Sequence, residues 1–216
     1  MAFGGGQVQA LRDYRSIQLG RRVVHAGAGS ILPLAALTAP IDVVQIASIA
    51  IAAVVVCVEL LRKTSHRFRN LFLVIFRRIL RTDEVTGAIT GASYLAVSSA
   101  IVLNLFPVPV SSLALFFIAL GDPVARMVGS TMGRVRVPIE VFRNLKVKTL
   151  EGSAAFFGAS LLVGILFWSQ GLVTSFWPVI LGAGTATLIE GLPVPIDDNF
   201  TVPVGSALVM GIVWSI

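Results

Sequence analysis

Four carboxylates in this chain stand where carboxylates are costly. Asp122 follows the apolar run SSLALFFIAL, Glu151 opens the run GSAAFFGASLL, Glu190 closes another, and Asp198 follows Asp197 shortly after it. A carboxylate placed in a membrane helix costs about 2.5–3.5 kcal/mol on insertion scales, so such groups mark chemistry with charged species. Hard carboxylate oxygens suit Mg²⁺, which binds through one or two of them and completes its shell with substrate phosphates. The stretch from Gly121 to Ser153 also carries six basic residues, the complement that phosphate oxygens require. Carboxylates and cations at the edge of apolar segments are the parts of a metal–phosphate site facing a lipid surface.

Each group also has a plainer reading. Asp122 and Arg126 lie one helical turn apart and could be a structural ion pair, but the apolar run before Asp122 favours a functional role. Gly121, Ala125, Gly129 and Gly133 recur every fourth residue, and close helix packing alone would explain that stripe. Arg134, Arg136, Arg143, Lys146 and Lys148 make a charged loop; followed directly by Thr149, Glu151 and Gly152, they read as a phosphate clamp beside a metal-binding carboxylate. Glu190, Asp197, Asp198 and Asn199 are either a solvated capping turn or an Mg²⁺ platform. Arg21 and Arg22 precede His25 and suit a phosphate contact. No GxxxxGK[ST] motif occurs, which excludes a P-loop. One cysteine and two distant histidines exclude a closed zinc site; Cys57 reads as a packed thiol and His66 has no assigned role.

The elements that must position these groups are membrane helices. Hydrophobic residues make up 56% of the 216 and charged residues 13%, with a mean hydropathy of +0.88, as in a polytopic membrane protein. At about 20 apolar residues per crossing, spans fall at 23–40, 42–61, 86–106, 108–127, 152–169, 172–190 and 200–216. The expected fold class is therefore an all-α integral membrane bundle of about seven helices, with a tail over 1–22 and one catalytic domain over 23–216. The tail shows no cleavable signal pattern. All 17 basic residues lie in the tail, between Arg62 and Arg81, or between Arg126 and Lys148, which makes that face cytoplasmic by the positive-inside rule. Ten of the 11 acids lie near the same face, Asp42 being the exception, which suggests an active face rather than a transport path. The segment 67–81 alternates apolar and basic residues at helical spacing and reads as an interfacial helix against anionic headgroups, or as a packed connector.

The ordered blocks RRVVHAGAG, FRRILRTDEVTGAITGASY, GDPVARMVGSTMGR, KTLEGSAAFFGAS and IEGLPVPIDDNFTVPVGSA resemble the CTP-dependent lipid kinases: dolichol kinase, phytol kinase and the CTP-using diacylglycerol kinase. That family is related in turn to the phosphatidate cytidylyltransferases. The resemblance runs from Arg21 to about Ser206. Arg21-Arg22 stands where the family usually has Arg-Lys, Lys148-Thr149 where Lys-Ser is commoner, and Pro123 after Asp122 is a further departure that could bend the helix. The chain has no Lys-Asp or Asp-Arg pair, which favours the kinase branch over the cytidylyltransferases.

The resemblance implies transfer of the γ-phosphate of CTP to the hydroxyl of a membrane lipid alcohol: a polyprenol or dolichol, phytol or geranylgeraniol, or diacylglycerol. It implies Mg²⁺ on Asp122, Glu151, Glu190 and Asp198, with Asp122, Glu151 and Asp198 as the catalytic carboxylates. Nucleotide phosphates would meet Arg21, Arg22, Arg136, Lys146, Lys148, Thr149, Gly129 and Gly133, with His25, Glu84 and Asn199 nearby. The partners implied are CTP, the lipid alcohol and the bilayer; no nucleic acid is expected, and a homo-oligomer is left open. The membrane is the plasma membrane of a prokaryote or the endoplasmic reticulum of a eukaryote. The rival readings are a cytidylyltransferase acting at the α-phosphate and a small ion or solute transporter.

Overall fold

The computed structural model describes residues 4–135, 148–192 and 195–214, with side chains from Gly20 onward. These residues are almost entirely helical, and no strand occurs among them. Ten α-helices follow one another: α1 (Gly4–Thr38), α2 (Ile41–Thr64), α3 (His66–Phe76), α4 (Thr82–Thr86), α5 (Gly91–Leu105), α6 (Val108–Phe116), α7 (Asp122–Met132), α8 (Leu150–Ser169), α9 (Trp177–Gly191) and α10 (Asp198–Trp214). A π turn, Phe117–Gly121, joins α6 to α7 without a break.

The joined helix Val108–Met132 is the axis of the molecule. It starts after Pro107 and carries Pro109 in its first turn, where proline's fixed φ suits a helix start. Every residue from Val110 to Ala119 is buried, so this segment is apolar all round because it is enclosed all round. α6 packs against α1, α5, α8 and α10, the π turn against α1 and α8, and α7 mainly against α8. The apolar window of the axis is 72% buried, whereas that of α2 is only 17% buried, with Val43, Ile46, Ile49 and Val54 facing outward. A peripheral helix this apolar needs a hydrocarbon solvent.

Among the described residues three helices, Ile41–Thr64, Val108–Met132 and Leu150–Ser169, are long and apolar enough to cross a membrane. The expected spans differ from the helices in instructive ways. α1 continues back to Gly4, so residues 4–22 of the expected tail are helical and continuous with the first span. The expected span 86–106 starts at Gly91, because Thr82–Thr86 makes its own short helix and Gly87, at φ 124°, turns the chain before Thr90 caps α5. α9 starts at Trp177 behind the turn at Gly171, and α10 covers Asp198–Trp214. The expected interfacial helix 67–81 is α3, shorter by one turn and capped by Ser65, which accepts from the Phe68 amide. None of its residues is buried, and Val74 is 83% exposed.

The helix pairs lock through glycines at their contacts. A Cβ on Gly164 of α8 would stand 2.0 Å from Val179 Cγ1 of α9, a stiff β-branched neighbour. Gly164→Ala is therefore expected to destabilise the protein by about 1–3 kcal/mol. Gly158→Ala, on an open face of the same helix, should be neutral or slightly stabilising. Thermal unfolding of the two variants in one detergent tests this: equal midpoints would mean that α8 and α9 do not pack as described.

Candidate active site

Three of the four sequence-singled carboxylates come together. One carboxylate oxygen each of Asp122, Glu190 and Asp198 lies within 4.8 Å of the others. Asp122 arrives at the end of the π turn, Glu190 at the end of α9, and Asp198 at the first position of α10. Asp122 and Glu190 are buried and Asp198 is half-buried. Lys148, entering α8, sets its ammonium between two of them, 2.7 Å from Glu190 Oε1 and 3.0 Å from Asp198 Oδ2. Ser153 Oγ donates to Glu190 Oε2 at 3.4 Å. Burial would push the Lys148 ammonium down, but Asp198 and Glu190 outweigh it and hold it above the usual lysine range. It therefore stays charged throughout the neutral range.

A small polar cleft adjoins this cluster, walled by Arg21, Arg22, His25, Arg81, Asp122, Pro123 and Arg126. Arg126 donates from Nε to Asp122 Oδ1 at 2.7 Å, the i,i+4 pair readable from sequence. His25 Nε2 lies 3.9 Å from Asp122 Oδ2, buried and without a hydrogen-bond partner. Arg81 pairs with Asp197 Oδ2. Arg21 and Arg22 make no hydrogen bond or ion pair among the described residues. Burial first, then the nearby charges of Arg81 and Arg126, push the Arg21 guanidinium below its ordinary value. A cation held among cations is relieved by an anion. Five cations (Arg21, Arg22, Arg81, Arg126, Lys148) thus meet five carboxylates (Asp122, Glu190, Asp197, Asp198 and Glu84, which lies 3.9 Å from Arg81 Nε), with Arg21 and Arg22 left to take the oxygens of a polyphosphate.

The other expected site residues fall elsewhere or have structural work to do. Glu151 is not in the cluster: its carboxylate accepts from the Arg134 and Val135 amides, pinning the chain beyond α7 to the start of α8. Thr149 caps α8 by accepting from the Gly152 amide. Gly129 and Gly133 face that threonine, where an added Cβ would meet Thr149 Oγ1 at 2.8 and 2.9 Å, so their smallness lets α7 reach α8. Buried Glu84 accepts from the Arg81 and Gly91 amides at 2.6 and 2.7 Å. Buried Asn199 donates to the Gly91 carbonyl at 3.2 Å. Arg136 and Lys146 lie outside the described residues.

Two contributors were not singled out from the sequence. Arg81 sat inside a quoted block, but only the fold shows it reaching Asp197, 116 residues away. The second is a brace beneath it. Arg62 of α2, 2% exposed, donates to the carbonyls of Glu84 and Ala88 at 2.8 and 2.6 Å and pairs with Glu59. Glu59 in turn accepts from the Thr90 and Ser93 hydroxyls at 3.2 and 3.3 Å. This brace fixes the 81–91 segment and, through Glu84, the backbone of Arg81. A basic residue next to an acid at the end of an apolar run was the available signal.

Similarity to known proteins agrees with the motifs. The protein named "Probable phytol kinase 3, chloroplastic" from Glycine max is 32% identical over 115 residues, covering 49% of this chain and 34% of that protein. "Probable phytol kinase 2, chloroplastic" from Glycine max is 28% identical over 156 residues, 66% of this chain and 52% of that one. Its namesake from Oryza sativa subsp. japonica is 27% identical over 146 residues, 62% and 46% of the two chains. The chain thus spans about a third to a half of the length of the curated relatives it matches. No protein-family model matches, and no solved structure matches. The curated relatives are phytol kinases, the lipid-kinase kinship that the ordered blocks indicate.

Proposed function

We propose that this protein is a CTP-dependent kinase that moves the γ-phosphate of CTP onto the hydroxyl of a membrane lipid alcohol, with phytol or another prenol the foremost substrate. The observation that carries the reading is the meeting of Asp122, Glu190 and Asp198 beside Lys148 and an arginine-walled cleft, at the rim of an apolar bundle. The names of the relatives supply the substrate class and the kinase activity; CTP as donor rests on the motif resemblance alone. The finer topology of seven spans with the basic face cytoplasmic belongs to the same proposal. The chloroplastic relatives add an organelle membrane to the two considered from sequence.

The three carboxylates are a hard, anionic oxygen set on three different elements, which fits Mg²⁺. Bound there, Mg²⁺ would neutralise charge on the triphosphate. Arg21, Arg22, Arg81 and Arg126 would hold phosphate oxygens, since positioning and charge stabilisation provide most of the catalysis in phosphoryl transfer. Lys148 would turn from its two carboxylates toward the transferred group. The alcohol oxygen attacks the γ-phosphorus as the bond to the β-phosphate oxygen breaks, CDP leaves, and the hydroxyl proton passes to a carboxylate. Asp198, half-buried and 3.0 Å from the Lys148 ammonium before that turn, is the proposed acceptor.

Purified protein in mixed micelles with Mg²⁺, phytol, diacylglycerol and phosphatidic acid, run with CTP labelled at either the γ- or the α-phosphate, tests the proposal. Label is expected to reach lipid only from the γ position, in a phosphorylated alcohol. Label arriving only from the α position would make the protein a cytidylyltransferase and overturn the kinase reading.

A further inference from the structure

Between α2, α3 and the start of α5 lies a cavity of about 450 Å³. Val55 and Val58 of α2, Phe72 and Ile75 of α3, and Ala92 of α5 form much of its wall, which is almost wholly hydrocarbon. It exists because α3 is amphipathic but leans mainly on α2, with Arg69 reaching the Val85 carbonyl, and buries none of its residues, so its apolar row stands off instead of closing down. Phe72 is held in place by the Arg62 guanidinium, 5.5 Å from its ring centre, and by the Phe76 ring at 4.8 Å. At its polar end Glu59 is occupied by Arg62, Thr90 and Ser93, so the cavity offers a ligand little but apolar surface.

We infer that this cavity houses the hydrocarbon chain of the lipid alcohol, an inference that rests on the kinase reading above. The argument is continuity. Ile79 and Leu80 line the cavity, and the next residue, Arg81, lines the polar cleft and pairs with Asp197 beside Asp198. Apolar chamber and phosphate cleft therefore share one wall, the segment 79–81, as a substrate with an apolar chain and a single hydroxyl demands. The volume is within the roughly 300–1,000 Å³ of small-molecule sites. A chamber of fixed size also measures its guest: chains longer than it can hold must leave part of themselves in the bilayer and gain no further affinity.

The test uses phytol bearing a diazirine at its tail end, irradiated with the protein in phosphatidylcholine nanodiscs without nucleotide, and the labelled peptides mapped by mass spectrometry. Label is expected on α2, α3 and α5 around Val58, Phe72, Ile75 and Ala92. Excess unlabelled phytol should displace it at least tenfold, and it should fall at least tenfold in Val58→Trp and in Ala92→Trp, which fill the chamber from two different helices. In turnover the same variants should raise the KM for phytol at least tenfold while leaving kcat for a short, soluble prenol within twofold. Label spread along the outward face of α2, or displaced equally well by added phospholipid, would overturn the assignment and make the cavity an ordinary lipid groove, with the kinase reading intact. Label in the cavity of a protein that transfers no γ-phosphate would overturn the kinase reading and leave the lipid-alcohol chamber standing.

Discussion

Asp122→Asn is expected to lower γ-phosphate transfer by at least a hundredfold to a thousandfold while leaving the protein folded. Asparagine keeps the size of the side chain and an oxygen for the Arg126 guanidinium, so the axis helix retains its packing. What is lost is the negative charge that faces Glu190, Asp198 and the arginine cleft. Loss of one preorganised electrostatic contact costs about 10²–10³ in kcat in other enzymes. A residue that helps hold a metal as well should sit at the upper end. Asp42→Asn, at the opposite end of the bundle, is the control and should leave turnover unchanged. The measurement is labelled phosphate transferred to phytol, alongside an unfolding curve for each variant. Normal turnover in a well-folded Asp122→Asn protein would remove this carboxylate from the mechanism and with it the proposed metal site.

The largest expected effect on stability is at Arg62, which belongs to neither the carboxylate cluster nor the wall of the polar cleft. Its guanidinium is buried against Glu59 and grips the carbonyls of Glu84 and Ala88. Arg62→Met leaves Glu59 with its charge and without its cation, which costs about 3–5 kcal/mol for a buried pair. Replacing both members, Glu59→Leu with Arg62→Met, should recover the part due to the stranded charge. It should not recover the bonds to the two carbonyls, worth about 0.5–1.5 kcal/mol each, since the Glu84 carbonyl keeps the Gly87 amide at 3.3 Å and Ala88 is exposed. Unfolding midpoints of the single and double variants separate the two contributions. Wild-type stability in Arg62→Met would show that the brace does not hold the 81–91 segment.

How far the sequence carries depends on the kind of interaction. The carboxylate cluster was legible because its signal is local: acids at the ends of apolar runs are conspicuous whatever they touch, and three of the four met. Glu151 gave the same signal, yet its oxygens go to the backbone amides of Arg134 and Val135, a capping duty that looks identical in sequence. The glycine stripe had two readings, close packing and contact with nucleotide phosphates, and what the fold adds is that Gly129 and Gly133 face Thr149. The helical character and the apolar segments followed from composition. Their ends did not, since Gly87 and Thr90 delay α5 through turn geometry that hydropathy does not register. Least legible was the brace, because Glu59, Arg62, Glu84 and Thr90 become neighbours only when α2 lies along α5.

The π turn at Phe117–Gly121 has a bearing on how this sequence can vary. A π turn is an α-helix holding one surplus residue, and such insertions often sit beside functional groups. Deleting one residue between 117 and 121 would regularise the helix and improve its internal bonding. It would also swing everything beyond by about 100° around the axis, carrying Asp122 away from Glu190 and Asp198. Length in this short stretch is therefore under a constraint of its own, separate from packing. Identity is constrained there too, since a Cβ on Gly121 would meet the Phe156 ring at 2.8 Å, but only an insertion or deletion rephases the two halves of the helix and separates Asp122 from the carboxylates it meets.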